Sequence, residues 1–496
     1  MQKSYNIPST DRLITTLKKL FLRILSSPLL LYVCVIAFVL YFGLLTSQRH
    51  LHLLSLRLDL GNMDQTVWNV ANGHGFVLTD PESDQQVSRL AYHADFLLVL
   101  LAPMYWIWSS PYMLLFIQVI VVGLGALPLY WIADKTLRSK PLALLFAVGY
   151  LLYPPMERAL MYDFHAVTLA TSFLLFAYWY MDTQKWGRFV LFALLSAICK
   201  EQIWIVVAMM GIYIAIWKKK IALGGVTAGV SLVVFYLLFW KVIPAHATAN
   251  QHFALKYLSD FGGDMDSILV SMLGDPQLLF QTVLAPDRAW YLFQRFVPVG
   301  FLSIFAPWKL LFGSVDFGLS LLSSNQFMRS IDYQYNSVVT PFIFITSIEG
   351  LAVIIRLAKK KKHIFTQIAI CVLVVTTLQS SYVWGVLPKG VHSLSWYYFR
   401  EPAGYTTMKY VLENIDAKYS VSITNNLGAQ VSQRRELYNF PVRAREADYV
   451  VVKLDDKAAW PSLAEQISVT EELRQDINYE LYAHTGSFSA FRRKDL

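Results

Sequence analysis

The first long apolar run of the chain, "PLLLYVCVIAFVLYFGLL" at residues 28–45, decides what class of protein this is. A helix needs about 20 apolar residues to cross the hydrocarbon core of a bilayer, and this run with its neighbours is long enough. The run is also too long for the apolar part of a secretory signal, and no small-residue cleavage site follows it. It therefore predicts an uncleaved first membrane span.

The composition extends this interpretation to the whole chain. Of the 496 residues, 55% are hydrophobic and 16% are charged, whereas about a quarter of the residues in soluble domains are charged. The net charge of +9 comes from short Lys and Arg clusters between apolar runs, a pattern that orients membrane spans and does not indicate a nucleic-acid partner. The three cysteines lie inside apolar runs without metal-type spacing: Cys34, Cys199 and Cys371. The chain is predicted to be a polytopic membrane protein.

About eleven segments have the length and hydropathy of transmembrane helices. Seven stand apart and four form two closely spaced pairs: 28–46, 112–133, 141–153, 166–181, 221–243, 338–356 and 364–384, with the pairs 187–199 and 202–217, and 291–306 and 308–323. The run at 94–108 is too short to cross and contains Pro103, so it predicts a juxtamembrane or re-entrant helix.

The basic residues orient these spans. Short connections between spans are rich in Lys and Arg, and the longer loops carry few. Because cytoplasmic segments are enriched in these residues, residues 1–27 are predicted to form a cytoplasmic N-terminus. The longer loops then face outward, at 47–111, 154–165, 244–290 and 324–337.

Residues 385–496 follow the last span and have the composition of a globular domain. Three segments there alternate as strands do and one has a helical pattern: "YSVSITNN" (419–426), "DYVVVKL" (448–454), "YELYAHTGSFSAF" (479–491) and, for the helix, "SLAEQISVTEEL" (462–473). The predicted architecture is an all-α transmembrane domain at 28–384, followed by a small extracytoplasmic α/β domain.

Two acidic residues follow the first span in "RLDLGNMDQTVWNVANGHG" at 57–75. Apolar residues recur at helical spacing from Leu60, which predicts a helix on the membrane surface with Asp59 at its start. Asp59 is either a helix cap or a carboxylate that acts as general base or helps to hold a divalent metal. Asp64 is either a partner of the helix dipole or a second such carboxylate. Gln65 lies off the apolar stripe and is a supporting candidate.

Lys200 and Glu201 lie at the outer junction of a pair of closely spaced spans, below the membrane surface, where charges need partners. One interpretation is an ion pair that neutralises both charges, either between these two residues or with residues of other helices. The other is that Lys200 binds a lipid-linked phosphate that Glu201 helps to orient.

Four further residues at the outer ends of spans have two interpretations each. Asp163 and His165 in "YDFHAV" are a helix cap and a loop histidine, or they point into one outer cavity where His165 contacts phosphate or metal. Arg158 is an interfacial anchor or a further phosphate ligand. His93 in "YHADF" is an interfacial polar residue or a supporting member of the same site.

Five motifs, in this order, resemble the uncharacterised membrane-protein family called domain of unknown function 2079. They are "DLGNMDQTVWN", "YHADFLLVLLAPMYWIW", "YDFHAVTLA", "CKEQ" and "SITNNLGAQVSQRRELYNFP". The resemblance covers about residues 50–450. That family in turn resembles the GT-C superfamily of polytopic glycosyltransferases, which take sugars from polyprenyl-phosphate carriers on the extracytoplasmic side.

In GT-C enzymes the first outer loop carries an essential acidic residue, so the resemblance implies Asp59 as the first candidate for the catalytic carboxylate and Asp64 as the second. It also implies a polyprenyl-phosphate-linked sugar donor whose phosphate lies near Lys200, and further near Arg158 or His165. The chain has no acidic pair and no Asp-Xaa-Asp after the first span, which leaves a Mg²⁺ or Mn²⁺ cofactor, held by Asp59 if by any residue, an open alternative.

The resemblance thus implies a multi-pass glycosyltransferase of a prokaryotic plasma (inner) membrane, in contact with membrane lipids. It would act on an unidentified glycan, lipid or protein acceptor. The alternative is a non-enzymatic lipid or polysaccharide transporter, or a catalytically inactive scaffold with the same fold. A transporter predicts charged residues along a path through the bilayer. Here the ionisable residues within spans collect at the outer ends, which favours the enzyme.

Overall fold

The structure is a computed structural model that describes residues 27–247, 253–393, 395–456 and 459–496. The predicted cytoplasmic segment 1–27 lies outside the described residues except for Ser27. The helices before the C-terminal sheet are α1 Pro28–Leu51, α2 Asn62–Ala71, α3 Leu97–Tyr105, α4 Pro111–Leu124, α5 Ala126–Leu137, α6 Lys140–Leu151, α7 Pro154–Met161, α8 Ala166–Asp182, α9 Trp186–Ala197, α10 Ile203–Trp217, α11 Ile221–Leu237, α12 Ile243–His246, α13 Met265–Gly274, α14 Pro276–Val283, α15 Pro286–Phe296, α16 Ser314–Leu322, α17 Thr340–Leu357 and α18 Lys362–Trp384.

Five described helices or helix pairs are long and apolar enough to cross a membrane: Pro28–Leu51, Pro111–Leu137, Ile221–His246, Thr340–Leu357 and His363–Trp384. Local sequence explains how α1 begins. The Ser27 hydroxyl accepts a hydrogen bond from the backbone N–H of Leu29 (3.3 Å), and Pro28 occupies the first helical position, where a missing N–H costs nothing. These five helices agree with five predicted spans, and the total of about eleven remains a prediction.

The predicted pair of spans at 291–306 and 308–323 is wrong in detail. Helix α15 ends at Phe296, and short 3₁₀ turns carry the chain to Gly313 before α16 begins. Prolines within this stretch lack the N–H that a continuous helix needs, and Gly300 adopts a left-handed conformation with φ of +60°. The run at 94–108 agrees with its prediction, because α3 has nine residues and is too short to cross.

The connections that carry the predicted site gather at one end of the helix bundle. The backbone N–H of Leu97 donates to the carbonyl of Ile198 (3.0 Å), which joins α3 to the turn between α9 and α10. The backbone N–H of Leu56 donates to Oδ2 of Asp163 (3.0 Å), which joins the loop after α1 to the loop before α8. The side of the membrane that this end faces remains a prediction.

A short hairpin in the first loop consists of β1 Val77–Thr79 and β2 Gln86–Ser88. The C-terminal residues form a five-stranded sheet of β3 Val421–Ile423, β4 Leu437–Asn439, β5 Tyr449–Lys453, β6 Tyr479–Thr485 and β7 Phe488–Arg493. The order of its strands is β4-β3-β5-β7-β6. The associated helices are α19 Tyr405–Glu413, α20 Asn425–Gly428 and α21 Leu463–Gln475.

Strand direction in this sheet divides it into two parts. β3 is parallel to both β4 and β5, whereas β7 is antiparallel to β5 and β6. All three residues of β3 and four of the five in β5 are buried, as expected for parallel strands covered on both faces. The run predicted as one strand at 479–491 is a hairpin, because Gly486 adopts φ of +56° at the turn.

Candidate active site

Asp59 lies on a single π-helical turn, Arg57–Gly61, between α1 and α2. The backbone N–H of Leu58 donates to Oδ1 of Asn425 (2.9 Å), and Gly61 packs so closely on Ala429 that an added Cβ would lie 3.3 Å from its Cα. The C-terminal part of the chain therefore holds the turn that carries Asp59. Single π-helical turns are frequent at functional sites.

His165 is the direct partner of Asp59. Its Nε2 lies 3.2 Å from Oδ1 of Asp59, and the two side chains are 8% and 16% exposed. Nδ1 of His165 is buried and has no hydrogen-bond partner within the part of the chain that the structure describes. Nε2 donates its hydrogen to Asp59, because a carboxylate oxygen can only accept. His165 thus orients the Asp59 carboxylate, whose remaining surface is accessible.

Three tyrosines extend from this pair. The Tyr162 ring stacks on His165 with centroids 5.7 Å apart, and meets the Tyr333 ring edge-on at 4.4 Å. Tyr333 in turn lies 6.3 Å from Tyr335. Burial raises the pKa of the Tyr162 hydroxyl, and the nearby Asp59 carboxylate raises it further, so Tyr162 remains a neutral donor at physiological pH.

An apolar cavity of about 380 Å³ lies on one side of this tyrosine row. Its lining includes His93, Lys200, Phe235, Trp240, Asp316 and Tyr335. The side chain of Lys200 is half-buried and makes no hydrogen bond or ion pair with any residue in the described ranges, although its charge acts on the Asp316 carboxyl of the same lining. A mainly apolar cavity that holds one ammonium group without an ion pair in the described ranges suits an amphipathic anion, such as a lipid with a phosphate headgroup.

No ion pair joins Glu201 to Lys200 among the residues that the structure describes. Its carboxylate oxygens instead contact Nδ1 of His93 (3.0 Å) and the backbone N–H of Ala94 (3.1 Å). Burial lowers the pKa of His93 to about 4, and the charge of Lys200 acts in the same direction. His93 is therefore neutral at pH 7 and donates to Glu201. The predicted mutual ion pair of Lys200 and Glu201 is thus absent from the described contacts.

A polar cavity of about 420 Å³ lies on the other side of the tyrosine row. Its lining includes Arg49, Arg158, Tyr162, Asp332, His392 and Tyr398. Arg158 forms an ion pair with Asp332 and donates to the backbone carbonyls of Trp384 and His392. Tyr162 borders this cavity and contacts His165, so Asp59 lies next to the wall between the two cavities.

The three predicted phosphate ligands do not share one cavity. Lys200 lines the apolar cavity, Arg158 lines the polar cavity, and His165 is directed at Asp59. A phosphate bound at Lys200 would therefore not contact Arg158 or His165 in this arrangement. Distance along the sequence could not reveal this separation, because helices α8 and α9 lie between Lys200 and the other two residues.

Asp163 has a structural role, but it is not the predicted helix cap, because the N-cap residue of α8 is His165. Its carboxylate is fully buried, pairs with Arg49 and accepts from the backbone N–H of Leu56. Burial raises the pKa of Asp163, and the guanidinium of Arg49 opposes this shift. The Gln118 side-chain amide also donates to the Asp163 carbonyl (2.9 Å). Asp163 thereby fixes the loop that presents His165.

Asp64 lies beneath the C-terminal residues and has no exposed surface. Its carboxylate accepts hydrogen bonds from Tyr105 Oη (2.5 Å), Ser432 Oγ (2.7 Å) and Gln433 Nε2 (3.1 Å). Burial raises the pKa of Asp64 to about 6 despite these three donors. An incoming acceptor cannot reach this carboxylate, so we assign Asp64 to the contact between the first loop and the C-terminal part of the chain.

Gln65 belongs to the same contact. Its amide nitrogen donates to Oγ1 of Thr79 and to the backbone carbonyls of Arg434 and Arg435, at 2.9 to 3.1 Å. Its amide oxygen accepts from the backbone N–H of Thr79 (3.1 Å). All of its hydrogen-bonding atoms face protein, and Gln65 supports the site only through the position of α2.

No three His, Cys, Asp or Glu side chains come together to hold a metal ion within the described ranges. Asp59 and His165 supply two potential ligands, and no third is added there. These residues do not fit a divalent metal site by themselves. The chemistry that the protein groups offer is acid–base chemistry at Asp59.

Four residues that line these cavities were not predicted from the sequence: Arg49, Tyr162, Asp316 and Asp332. Arg49 ends the first span and looks like an ordinary interfacial anchor. Tyr162 immediately precedes the predicted Asp163 and His165, so its position offered a signal. Asp316 and Asp332 had no sequence signal, because their relevance depends on α16 and the loop after it meeting Lys200 and Arg158.

Comparisons with known proteins place this architecture. The family model described as "Predicted membrane protein (DUF2079)" matches residues 49–487. The crystal structure of ArnT from Cupriavidus metallidurans bound to undecaprenyl phosphate matches with a TM-score of 0.52 and 11% sequence identity, over 94% of this chain and 98% of that chain. At this identity the likeness is one of fold. No curated protein matches the chain.

Proposed function

We propose that this chain, which belongs to the DUF2079 family of predicted membrane proteins, is a glycosyltransferase of the GT-C type. It would move a sugar from a polyprenyl-phosphate carrier to an acceptor at the outer face of the plasma membrane. The family match confirms the predicted family, and the likeness to ArnT, which is one of fold, supports the proposal. The activity, the donor and the acceptor are the proposal.

The observation that carries the proposal is the position of Asp59 beside the tyrosine row that separates two unlike cavities. One is largely apolar and contains Lys200, which forms no ion pair with the residues that the structure describes, and the other is polar and contains Arg158. A transferase that joins a lipid-linked donor to a hydrophilic acceptor needs two such compartments and a base where they meet. Tyr162 and Tyr335 belong to different cavities, and both lie near Asp59.

In the proposed reaction Asp59 acts as the general base. It takes the proton from an acceptor hydroxyl while the hydroxyl oxygen forms a bond to the anomeric carbon of the donor sugar. The bond between that carbon and the phosphate oxygen breaks, and its electron pair leaves with the polyprenyl phosphate. One displacement inverts the configuration at the anomeric carbon. Asp59 ends protonated and returns the proton to water.

Lys200 stabilises the leaving phosphate in this scheme. An ammonium group in a low-dielectric cavity interacts strongly with negative charge that increases in the transition state. The apolar lining around it accommodates the adjacent isoprene units. His165 keeps Asp59 in position, and His93, being neutral, adds no competing charge near Lys200.

Transfer of labelled sugar tests the proposal. Purified protein in nanodiscs would receive undecaprenyl-phosphate-linked sugars and a total extract of cell-envelope glycans and lipids as acceptors. We expect Asp59→Asn to lose about 100-fold or more in turnover, since general bases contribute about that much. Lys200→Ala should also lose turnover. Asp260→Asn and Lys219→Ala change exposed residues with no described partner and serve as matched controls.

Turnover that survives both Asp59→Asn and Lys200→Ala would contradict the assignment of these residues. Wild-type protein that transfers none of the donors, yet moves them between bilayer leaflets, would instead identify a transporter. Absence of both activities while the donor still binds would indicate an inactive scaffold.

A further inference from the structure

The C-terminal sheet has a small cavity at one edge that the proposed reaction leaves unused. Its volume is about 50 Å³, and its lining includes Leu58, Asn425, Asn426, Asn439, Lys453 and Trp460. Leu58 immediately precedes Asp59 in the sequence, and its backbone N–H is bound to Asn425. The cavity therefore adjoins the turn that carries the proposed general base.

This cavity lies at the ends of the parallel strands, where the connections leave β3 toward opposite edges of the sheet. The chain passes from β3 to β4 on one side of β3, and then to β5 on the other side. Asn439 ends β4, Lys453 ends β5, and Asn425 follows β3 by two residues. Open α/β sheets bind ligands in the crevice outside the carboxyl ends of strands at such a switch point.

Asn439 gives independent evidence that something binds there. Its side chain is 2% exposed, and its Oδ1 is buried with no hydrogen-bond partner among the residues that the structure describes. Buried polar atoms are nearly always satisfied, and leaving one without a partner costs about 1–3 kcal/mol. A ligand hydroxyl that donates to Oδ1 would remove this deficit.

Charge and size restrict the class of ligand. Lys453 is paired with Asp455 at 2.8 Å, so the cavity offers no free cation for a phosphate or carboxylate within the described residues. A cavity of about 50 Å³ has room for a few hydroxyl groups, since one water needs roughly 10–15 Å³ of such space. Asparagine amides donate and accept, as hydroxyl recognition requires.

The remainder of a ring has a surface to lie on. Trp460 is 43% exposed and Leu58 is 38% exposed at the mouth of the cavity. The Gln466 amide donates to the Trp460 carbonyl (2.9 Å) and fixes that residue. A tryptophan offers a large, rigid face with little conformational freedom to lose on binding.

We propose that this cavity binds the hydroxyl-bearing edge of a neutral sugar, with Asn439 inside the cavity and Trp460 against the ring. The inference rests on the proposed function, because a sugar held beside Leu58 would be one unit of the acceptor. The acceptor of this enzyme would then be a glycan, and the C-terminal sheet would set its position relative to Asp59.

Sugar binding can be measured without turnover. Saturation-transfer difference NMR on the full chain in nanodiscs would use cellobiose, mannobiose and chitobiose as neutral probes and glucose 6-phosphate as an anionic probe. We expect at least one neutral disaccharide to bind. Asn439→Leu, which keeps the volume and removes both polar atoms, should weaken that binding at least fivefold, and Trp460→Ala should do so as well.

Asn478→Leu is the matched control, because Asn478 is exposed next to β6 at the opposite edge of the sheet and should bind the sugar as wild type does. Melting temperatures of all variants would show whether the fold is retained. The inference is overturned if none of the neutral sugars binds, or if only glucose 6-phosphate binds. It is also overturned if Asn439→Leu and Trp460→Ala both bind the neutral sugar with the affinity of the wild type.

The two proposals fail separately. If sugar transfer depends on Asp59 but no disaccharide binds, the proposed enzyme activity stands and the proposed glycan site is refuted. Disaccharide binding that Asn439→Leu abolishes, in a protein with no transfer activity, would leave the glycan site and remove the enzyme. Asp59→Asn should keep the binding in either case, since its side chain does not line the cavity.

Discussion

The buried carboxylate of Asp64 predicts an unusual dependence of stability on pH. Burial raises its pKa from 3.8 to about 6, even though three donors oppose the shift. The folded protein therefore binds a proton between about pH 4 and pH 6 that the unfolded chain releases. Stability that depends on this proton is present at low pH and is lost as the pH rises through 6, which is opposite in sign to the behaviour of a salt-bridged aspartate.

The expected magnitude follows from this shift. A difference of one pKa unit corresponds to about 1.4 kcal/mol, and pH 5 to pH 7 covers the upper half of the window. Integration of proton binding over that interval gives on the order of 1 kcal/mol of stability lost in the wild type. Asp64→Asn removes the titrating group and should lose none of this amount. Other buried acids, such as Glu157, whose pKa burial raises to about 7, contribute equally to both proteins.

Amide hydrogen exchange in α2 is a suitable measurement, because this helix carries Asp64 and opens only when the contact with the C-terminal residues breaks. Protection factors at pH 5 and pH 7, corrected for intrinsic exchange, give opening free energies for wild type and Asp64→Asn. We expect the pH 5 to pH 7 change in protection to differ between the two by roughly five- to tenfold. Equal pH dependence in both proteins would refute the burial of an ionisable Asp64 under the C-terminal residues.

Two further predictions concern the same end of the molecule. Gly428→Ala should destabilise the protein by about 1–3 kcal/mol and reduce sugar transfer, because its new Cβ would lie 2.6 Å from Cβ of the buried Arg57. The control Gly187→Ala, with open space around it, should melt as the wild type does. A Gly428→Ala variant with unchanged stability and transfer would show that the turn carrying Asp59 does not depend on this contact. In intact cells, a membrane-impermeant maleimide should modify a cysteine introduced at Glu82 and leave one at Lys219 unmodified, because we predict that these positions lie on opposite sides of the membrane. The reverse labelling pattern would mean that the predicted orientation is wrong.

The membrane character and the strongest spans followed from the sequence because hydropathy and length are local properties. The same holds for β3, β5 and the run that contains β6 and β7, and for a short helix at 94–108, whereas β4 was not predicted. The predicted pair of spans at 291–323 was wrong in detail, because hydropathy does not register how prolines and a left-handed glycine interrupt a helix. Apolar composition alone does not distinguish a helix from a packed series of 3₁₀ turns.

The site shows a second boundary of what sequence determines. The sequence alone placed Asp59 and Asp64 after the first span, five residues apart and chemically alike. Only the tertiary structure separates them: Ser432, 368 positions further on, covers Asp64, while Asp59 stays accessible beside His165, 106 positions away. Burial and partners set the chemistry of a carboxylate, and both come from chain segments that no local pattern brings together.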